Sequence, residues 1–286
     1  MEMLRDALGA FDRLVHSVPS ASAYDFPFIR DAWFWLPIIV PLYLVLVFGG
    51  PLFMKNREAL ECKPILALWN LSLSLLSVVM FYSTFTRVGA ETVNAGSDWL
   101  YYLITLPEPY DARVWNGPHM FWMWVFGLSK VFELFDTALL VVRKRKVGLL
   151  HWYHHTTVLV FTWFCMNVVA SPGFVFGIMN AFVHSIMYFY YFLTSLGYRP
   201  WWGNAVTLIQ LSQMAVGVGV SVLWTYFYLF TERECPLKVP VHAWVVTTCV
   251  AIYGSYFLLF LDFYRRRLAS QRAAAEAKKK GEKKRS

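Results

Sequence analysis

Residues 149–169 read LLHWYHHTTVLVFTWFCMNVV, an almost unbroken apolar stretch that carries three histidines near its start. A stretch of about 20 apolar residues is long enough to cross the hydrocarbon core of a bilayer as one helix. Ionisable side chains at membrane depth are costly and usually mark function. The stretch therefore predicts a membrane-spanning helix and a functional site on the same element.

The rest of the chain repeats this apolar pattern. Of its 286 residues, 58% are hydrophobic and 15% are charged, against roughly 25% charged residues in soluble domains. We predict an all-α, polytopic membrane bundle of about seven spans, at 33–53, 65–87, 117–141, 149–169, 173–195, 204–230 and 242–264. In this prediction, 1–32 is a non-cytosolic N-terminal segment, 33–264 is the membrane domain, and 265–286 is a basic cytosolic tail.

The orientation follows from the Lys and Arg residues. Eighteen of the 26 fall in loops and a tail on one side of this topology, and such residues concentrate in the cytosol. A basic tail next to a membrane span favours contact with anionic lipid over nucleic acid. Within the last four residues, Lys283-Lys284 resemble the dilysine signal of endoplasmic reticulum membrane proteins, so we predict that membrane and a cytosolic C-terminus.

The third span carries the run Lys130, Glu133, Asp136 and Thr137. In a straight helix Lys130, Glu133 and Thr137 share one face, with Asp136 about 100° away. Two interpretations stay open for this run. It is either a self-neutralising Lys–Glu pair that fixes helix packing or a set of groups that orients a substrate.

Three further spans carry polar residues at helical spacing. On the fourth, offsets of zero, three and four place the histidines on one face, and on the fifth a buried His184 needs a partner, for which Asn180 is suitably placed. Tyrosines near an interface also form ordinary aromatic belts, and Gln residues also hold helices together. The residues concerned are His151, His154 and His155, then Asn180, His184, Tyr188 and Tyr191, then Thr207, Gln210 and Gln213.

These polar groups all fall in the cytosolic half or the middle of their helices, whereas the opposite halves are apolar and aromatic. The pattern predicts a polar chamber that opens to the cytosol and continues as an apolar tunnel. A substrate with a charged head and a long hydrocarbon tail fits this shape. Arg143, Lys144 and Lys146, directly before the histidines, would attract a polyanionic head; ordinary topogenic charge is the other interpretation.

Four ordered motifs resemble the membrane fatty acid elongases of the ELO/ELOVL type. They are K-x-x-E-x-x-D-T from Lys130, H-x-x-H-H from His151, H-x-x-M-Y-x-Y-Y from His184 and T-x-x-Q-x-x-Q from Thr207. The resemblance implies decarboxylative condensation of an acyl-CoA with malonyl-CoA, giving a 3-ketoacyl-CoA two carbons longer, CO2 and CoA. It implies no cofactor, and it implies the ketoacyl reductase, dehydratase and enoyl reductase of the elongation cycle as partners; a homo-oligomer stays open.

The resemblance also implies residue roles. Cys165 lies ten residues beyond His155, or about 15 Å along a helix, so a histidine is the better nucleophile. We expect His154 to carry the acyl group and His184 to assist malonyl decarboxylation, with the reverse assignment open. His151 and His155 would tune this pair, and substrate binding is expected of Lys130, Glu133, Asp136, Thr137, Asn180, Tyr188, Tyr191, Gln210, Gln213, Arg143, Lys144 and Lys146.

Two details refine the resemblance. The residues between the first two histidines, Trp152 and Tyr153, look more like the branch that acts on saturated and monounsaturated chains than the polyunsaturated branch. Some family members have cysteines able to link two lumenal loops. The loop at 88–116 contains no cysteine to pair with Cys235, so looser lumenal closure is expected.

Two other classes of membrane protein share some of these features. A di-iron desaturase or hydroxylase also uses histidine boxes, but it needs about eight histidines, and of the seven here His16, His119 and His242 fall outside the predicted chamber. We therefore predict no metal site. A transporter or seven-helix receptor explains the topology and a midplane Lys–Glu pair, but not three histidines on one helix face.

Overall fold

The computed structural model describes residues 2–22, 31–105, 115–167, 170, 172–230 and 240–283. These residues are almost entirely helical, which confirms the all-α prediction. The helices are α1 (Glu2–His16), α2 (Ala32–Phe53), α3 (Lys63–Asn94), α4 (Trp99–Thr105), α5 (Pro118–Phe132), α6 (Phe135–Val142), α7 (Leu149–Asn167), α8 (Pro172–Ser195), α9 (Gly203–Phe230) and α10 (Pro240–Lys283). A 3-10 turn (Gly96–Asp98) precedes α4, and β1 (Ala21–Ser22) pairs antiparallel with β2 (Asn116–Gly117).

Six helices form a closed ring. Going around it, α3 packs on α5, α5 on α7, α7 on α10, α10 on α9, α9 on α8, and α8 back on α3. Helix α2 lies outside the ring against α6 and α7. The interior of the ring is where the predicted chamber and tunnel are found.

Within the described ranges, five helices are long and apolar enough to cross a membrane, and they match the first, second, fifth, sixth and seventh predicted spans. They cover Trp33–Phe53, Lys63–Asn94, Pro172–Ser195, Gly203–Phe230 and Trp244–Ala274. The fourth predicted span corresponds to α7, which has 19 residues and contains the three histidines. It is not one of these five helices. Its described part ends at Asn167, since 168–169 lie outside the described residues.

The third predicted span is not one helix. Helix α5 ends at Phe132 and α6 begins at Phe135. Between them the N–H of Leu134 donates to Val131 O and that of Thr137 donates to Leu134 O, both at 3.1 Å, which are the tighter i to i−3 bonds of a 3-10 turn. The continuous helix over 117–141 is therefore wrong at this point.

The tight turn changes which side chains share a face. Lys130 bonds to Asn180 on α8, whereas Thr137 bonds to Tyr43 on α2. The predicted common face of Lys130, Glu133 and Thr137 is therefore wrong for Thr137. A 3-10 turn rotates the chain by more than 100° per residue, which is enough to redirect that side chain.

Helix α7 is buried on two sides. Leu159 and Trp163 belong to an apolar cluster shared with α2, α3 and α5, and they are 1% and 2% exposed. Phe161 and Cys165 belong to a second cluster with α9 and α10. Because both sides contact protein, the histidines of α7 face the interior of the ring instead of lipid.

The two ends of the bundle differ. At the chamber end lie the ends of α6 and α8, the start of α9 and the extension of α10 beyond residue 264. At the tunnel end lie α1, α4 and the β1–β2 pair. Helix α10 runs through the predicted boundary at 264–265 without a break; Cys235, Arg233 and Lys284 lie outside the described residues, as do the side chains of His242 and Lys283.

Candidate active site

Two cavities inside the ring meet at one histidine. The chamber has a cavity volume of about 740 Å³, and the tunnel is narrow, with a cavity volume of about 60 Å³. His154, Asn180, Gln213 and Met214 line both. The structure therefore contains the predicted arrangement, in which a polar chamber is followed by an apolar tunnel. His154 lies at the junction of the two.

The side chains that line the tunnel are mainly Met and Phe from α5, α7 and α8, with Tyr253 and Tyr256 of α10. Those that line the chamber include all four predicted catalytic histidines, His151, His154, His155 and His184. Asp136, Tyr188, Tyr191 and Gln210 also line the chamber. Residues spread over 75 positions of the chain are thus brought to one cavity.

A buried ion pair lies beside the junction. Lys130 and Glu133 are 2% and 3% exposed, and Lys130 Nζ donates to Glu133 Oε1 at 2.7 Å. Ser129 Oγ adds a second donor to the same oxygen at 3.0 Å, and Lys130 Nζ lies 4.2 Å from the ring centre of Phe126. A buried ammonium and carboxylate with these partners compensate each other's loss of water.

The ion pair is connected to His184 through Asn180. Lys130 Nζ donates to Asn180 Oδ1 at 2.8 Å, so the amide nitrogen of Asn180 faces His184 Nε2 at 3.1 Å. An amide nitrogen only donates, and His184 Nε2 therefore accepts and its proton is on Nδ1. That Nδ1 lies 3.7 Å from Glu133 Oε1. The predicted pairing of His184 with Asn180 is confirmed.

His151 is held from the opposite side. Its Nε2 lies 2.8 Å from Thr137 Oγ1, which also bonds to Tyr43 OH at 2.9 Å. Thr137 is fully buried and is not among the residues that line either cavity. Its position fits the orientation of His151 better than direct contact with a substrate.

His154 is surrounded by rings. Its ring centre lies 4.8 Å from that of Tyr256, 5.7 Å from that of His155 and 6.3 Å from that of Phe260. Its Nδ1 is buried and has no hydrogen-bond partner among the residues that the structure describes. This nitrogen is therefore not held by a hydrogen bond to the described part of the chain.

Asp136 joins three helices. Its Oδ1 accepts from Trp69 Nε1 at 2.6 Å and its Oδ2 from Tyr188 OH at 2.7 Å. The Tyr188 ring packs edge-on against His184, with centres 5.2 Å apart. The carboxylate therefore fixes a tyrosine that in turn limits the motion of His184.

The two glutamines contact different groups, and so do the residues of the basic run from Arg143 to Lys146. Gln210 Nε2 lies 3.0 Å from Met187 Sδ, whereas Gln213 lies at the junction. Arg143 and Lys146 line the chamber, but Lys144 Nζ donates to Lys55 O at 3.1 Å and is not among the lining residues. Lys144 has a φ of 53°, and the N–H of Arg145 donates to Leu140 O at 2.8 Å, which ends α6 in a Schellman-type turn.

Several residues around the site were missed from the sequence. Tyr43 and Trp69 lie on the first and second predicted spans, where no polar run was predicted, and Asn70 of the second span lines the chamber. Arg267 Nη1 donates to Thr207 Oγ1 at 2.7 Å. The spacing of Tyr253, Tyr256 and Phe260 along α10 was the available signal for an aromatic wall beside His154.

The thiols are placed differently from the histidines. Cys165 is buried and lines the tunnel, away from the chamber. Cys62 and Cys249 are also unpaired. Among the described residues, no group of three or more His, Cys, Asp or Glu side chains is arranged to hold a metal ion.

Comparisons with known proteins agree with this geometry. The family model described as GNS1/SUR4 matches residues 28–276. The chain is 32% identical over 237 residues to "Very long chain fatty acid elongase 6" of Drosophila melanogaster, covering 82% of this chain and 72% of that one. It is 34% identical over 240 residues to "Very long chain fatty acid elongase 3" of Homo sapiens, covering 83% and 84%. It is 36% identical over 228 residues to "Very long chain fatty acid elongase 4" of Trypanosoma cruzi, covering 77% and 75%.

Proposed function

Because the chain belongs to the GNS1/SUR4 family and is a membrane enzyme of fatty acid elongation, we propose that it catalyses the decarboxylative condensation step. A long-chain acyl-CoA and malonyl-CoA give a 3-ketoacyl-CoA two carbons longer, with CO2 and free CoA. This step is an acyl transfer, and both thioesters are substrates, so no cofactor takes part.

One observation carries the proposal: His154 lies where the apolar tunnel meets the polar chamber, with an unpartnered ring nitrogen. A hydrocarbon chain in the tunnel and a CoA head in the chamber put the thioester carbon beside that imidazole. The tunnel is the low-energy place for the chain because methylene groups gain about 0.8 kcal/mol each on leaving water.

In the first half-reaction, a ring nitrogen of His154 attacks the thioester carbonyl. A C–N bond forms, the C–S bond breaks, and the leaving CoA thiolate takes the proton of the other ring nitrogen, which gives free CoA and a neutral acyl-imidazole. An acyl-imidazole is reactive enough to transfer its acyl group onward. CoA then makes way in the chamber for malonyl-CoA.

In the second half-reaction, malonyl-CoA loses CO2 and leaves a carbanion stabilised by its thioester. The carbanion attacks the acyl carbonyl, a C–C bond forms, the C–N bond to His154 breaks, and the released imidazole nitrogen takes up a proton from water. His184 would assist this step, since its protonated Nδ1 can donate to an oxygen that becomes negatively charged. The reverse assignment of the two histidines is less favourable because Asn180 occupies Nε2 of His184.

The remaining chamber residues are assigned to substrate binding. Arg143 and Lys146 line the chamber and would attract the phosphates of CoA. Tyr191, Gln210 and Gln213 line the space between these cations and His154. Saturated or monounsaturated chains are the proposed substrates, on the basis of the His151-Trp152-Tyr153 sequence.

The cellular setting is also proposed. The enzyme is placed in the endoplasmic reticulum membrane with its C-terminus in the cytosol, where Lys283 and Lys284 would serve as a retrieval signal. Its product needs reduction, dehydration and a second reduction, so the three enzymes for those reactions are its expected partners.

The test is to trap the acyl-enzyme. The purified protein is incubated with acyl-CoA alone, and the adduct is located by peptide mass spectrometry. We expect one acyl group on His154, release of one CoA, and no adduct in His154→Ala. A His184→Ala variant should keep the adduct but lose condensation. An adduct on Cys165, or condensation without any adduct on histidine, would overturn the proposal.

A further inference from the structure

Helix α1 separates its residues into two faces. With 100° between successive residues, the apolar ones occupy an arc of about 160° and the polar ones the opposite side. The apolar face consists of Met3, Leu4, Ala7, Leu8, Ala10, Phe11, Leu14 and Val15. Such a division is typical of a helix that lies at a boundary between water and an apolar phase.

Within the described residues, Phe11 and Val15 are the members of this face shown to pack against the rest of the protein. Val15 is 1% exposed, and its carbonyl accepts from Trp122 Nε1 at 2.8 Å. The ring of Phe11 packs edge-on against Tyr82 at 5.1 Å. In contrast, Met3 is 86% exposed, Leu4 66%, Leu8 55% and Leu14 68%. Four large apolar side chains on one short helix are a contiguous exposed surface, which marks an interaction site.

The position of α1 indicates what covers this surface. It is docked on α3 at Tyr82, whose hydroxyl donates to Asp12 Oδ1 at 2.9 Å. On α3, Val78 and Phe85 are 40% and 52% exposed. Both belong to a helix that is long and apolar enough to span the membrane. The apolar face of α1 therefore continues the surface that α3 presents to lipid.

The charges of α1 do not favour electrostatic binding to anionic lipid. The sequence of α1 contains three acidic residues, Glu2, Asp6 and Asp12, and two arginines, Arg5 and Arg13, which leaves a net charge of −1 with His16 neutral. A helix of this charge gains nothing from anionic lipid. We propose that α1 is an interfacial helix, held on the leaflet at the tunnel end by immersion of its apolar face among the acyl chains of zwitterionic lipid.

The test uses the full-length protein in phosphatidylcholine nanodiscs. Cys62→Ser and Cys235→Ser provide the background, and a nitroxide is attached in turn at Leu4→Cys, Arg5→Cys, Asp6→Cys and Leu8→Cys. Collision with oxygen, which concentrates in the bilayer, is compared with collision with a water-soluble nickel chelate. We expect the ratio of oxygen to nickel collisions to be several-fold higher at positions 4 and 8 than at 5 and 6.

Each other outcome decides against the proposal. Equal, water-exposed labels at all four positions would show that α1 does not meet lipid. Labels at 4 and 8 that are shielded from both reagents would mean that a second copy or another protein covers the face. Replacing part of the lipid with phosphatidylserine should leave the ratios unchanged, and a marked rise would show that charge, not apolar contact, holds the helix.

Discussion

The chamber and the tunnel lie in one interior but are stabilised differently. Around the chamber, polar side chains bond to one another in short networks, such as Lys130–Asn180–His184 and Trp69–Asp136–Tyr188. The tunnel is lined mainly by apolar and aromatic side chains. Substitutions in the chamber should therefore disturb catalysis and stability, whereas substitutions in the tunnel should change which chain fits.

The largest effect is expected at the junction. We expect His154→Ala to lower condensation at least about 1000-fold, because the loss of a nucleophile removes the covalent route. The measurement is the formation of 3-ketoacyl-CoA from labelled malonyl-CoA. Cys165→Ala, a substitution in the tunnel wall, should remain close to the parent enzyme. Activity of His154→Ala within about tenfold of the parent would contradict the assignment.

The ion pair should matter mainly for stability. Glu133→Gln leaves the Lys130 ammonium buried without its carboxylate, which costs about 3–5 kcal/mol. Thermal unfolding in detergent measures this loss. The double variant Lys130→Met/Glu133→Gln removes both charges and should recover most of the Tm without recovering activity. A single variant as stable as the parent would show that the pair is not desolvated.

The effect of the negative charge of Asp136 can be distinguished from that of its hydrogen bonds. Asp136→Ala leaves the Trp69 and Tyr188 donors without an acceptor, at about 1–3 kcal/mol for each buried group. Asp136→Asn is the matched control, since its oxygen can still accept from Trp69 while its amide donates to the Tyr188 oxygen. We expect Asn to retain most of the stability that Ala loses. Equal losses would argue against this network.

Glycines in the tunnel wall give the next smaller effect. A Cβ at Gly177 would lie 3.1 Å from Met123 Cε, whereas one at Gly173 would lie 3.7 Å from Cys165 Cβ. Gly177 is one turn closer to Asn180 at the junction, or about 6 Å. We therefore expect Gly177→Leu to restrict the enzyme to shorter acyl chains than Gly173→Leu does.

A series of acyl-CoAs measures this effect. Activity on the shortest chains should remain in both glycine variants, and the longest chain accepted should decrease in the order parent, Gly173→Leu, Gly177→Leu. An equal loss at every chain length would indicate general misfolding of the wall, and the interpretation of the tunnel as the chain site would then fail.

The smallest effect is expected at the chamber mouth. Arg143→Gln and Lys146→Gln should raise KM for acyl-CoA a few-fold with little change in kcat, and the difference should shrink at high ionic strength because exposed charges are screened. Lys144→Gln is the control, since its amine bonds to Lys55 O instead of lining the chamber. A larger rise in KM for Lys144→Gln than for Arg143→Gln would contradict the assignment of Arg143, and not Lys144, to substrate binding.

The sequence alone determined the membrane class, the positions of the five long spans found in the described part of the chain, and most of the polar side chains that line the chamber. Length and hydropathy suffice for the spans, because a helix must be about 20 residues long to cross a bilayer. Spacing of three and four suffices for residues within one helix, which is why the pairing of Asn180 with His184 was predictable.

Only the tertiary structure decided how separate helices meet. The turn at Glu133 and Leu134 sends Thr137 to His151, and nothing in the spacing of that run marks a 3-10 turn. Trp69 and Tyr256 lie among apolar residues in the sequence. In the structure, Trp69 donates to Asp136 and the ring of Tyr256 packs on His154. Their roles arise from the closure of the ring, because contacts between distant segments depend on how whole helix surfaces pack together.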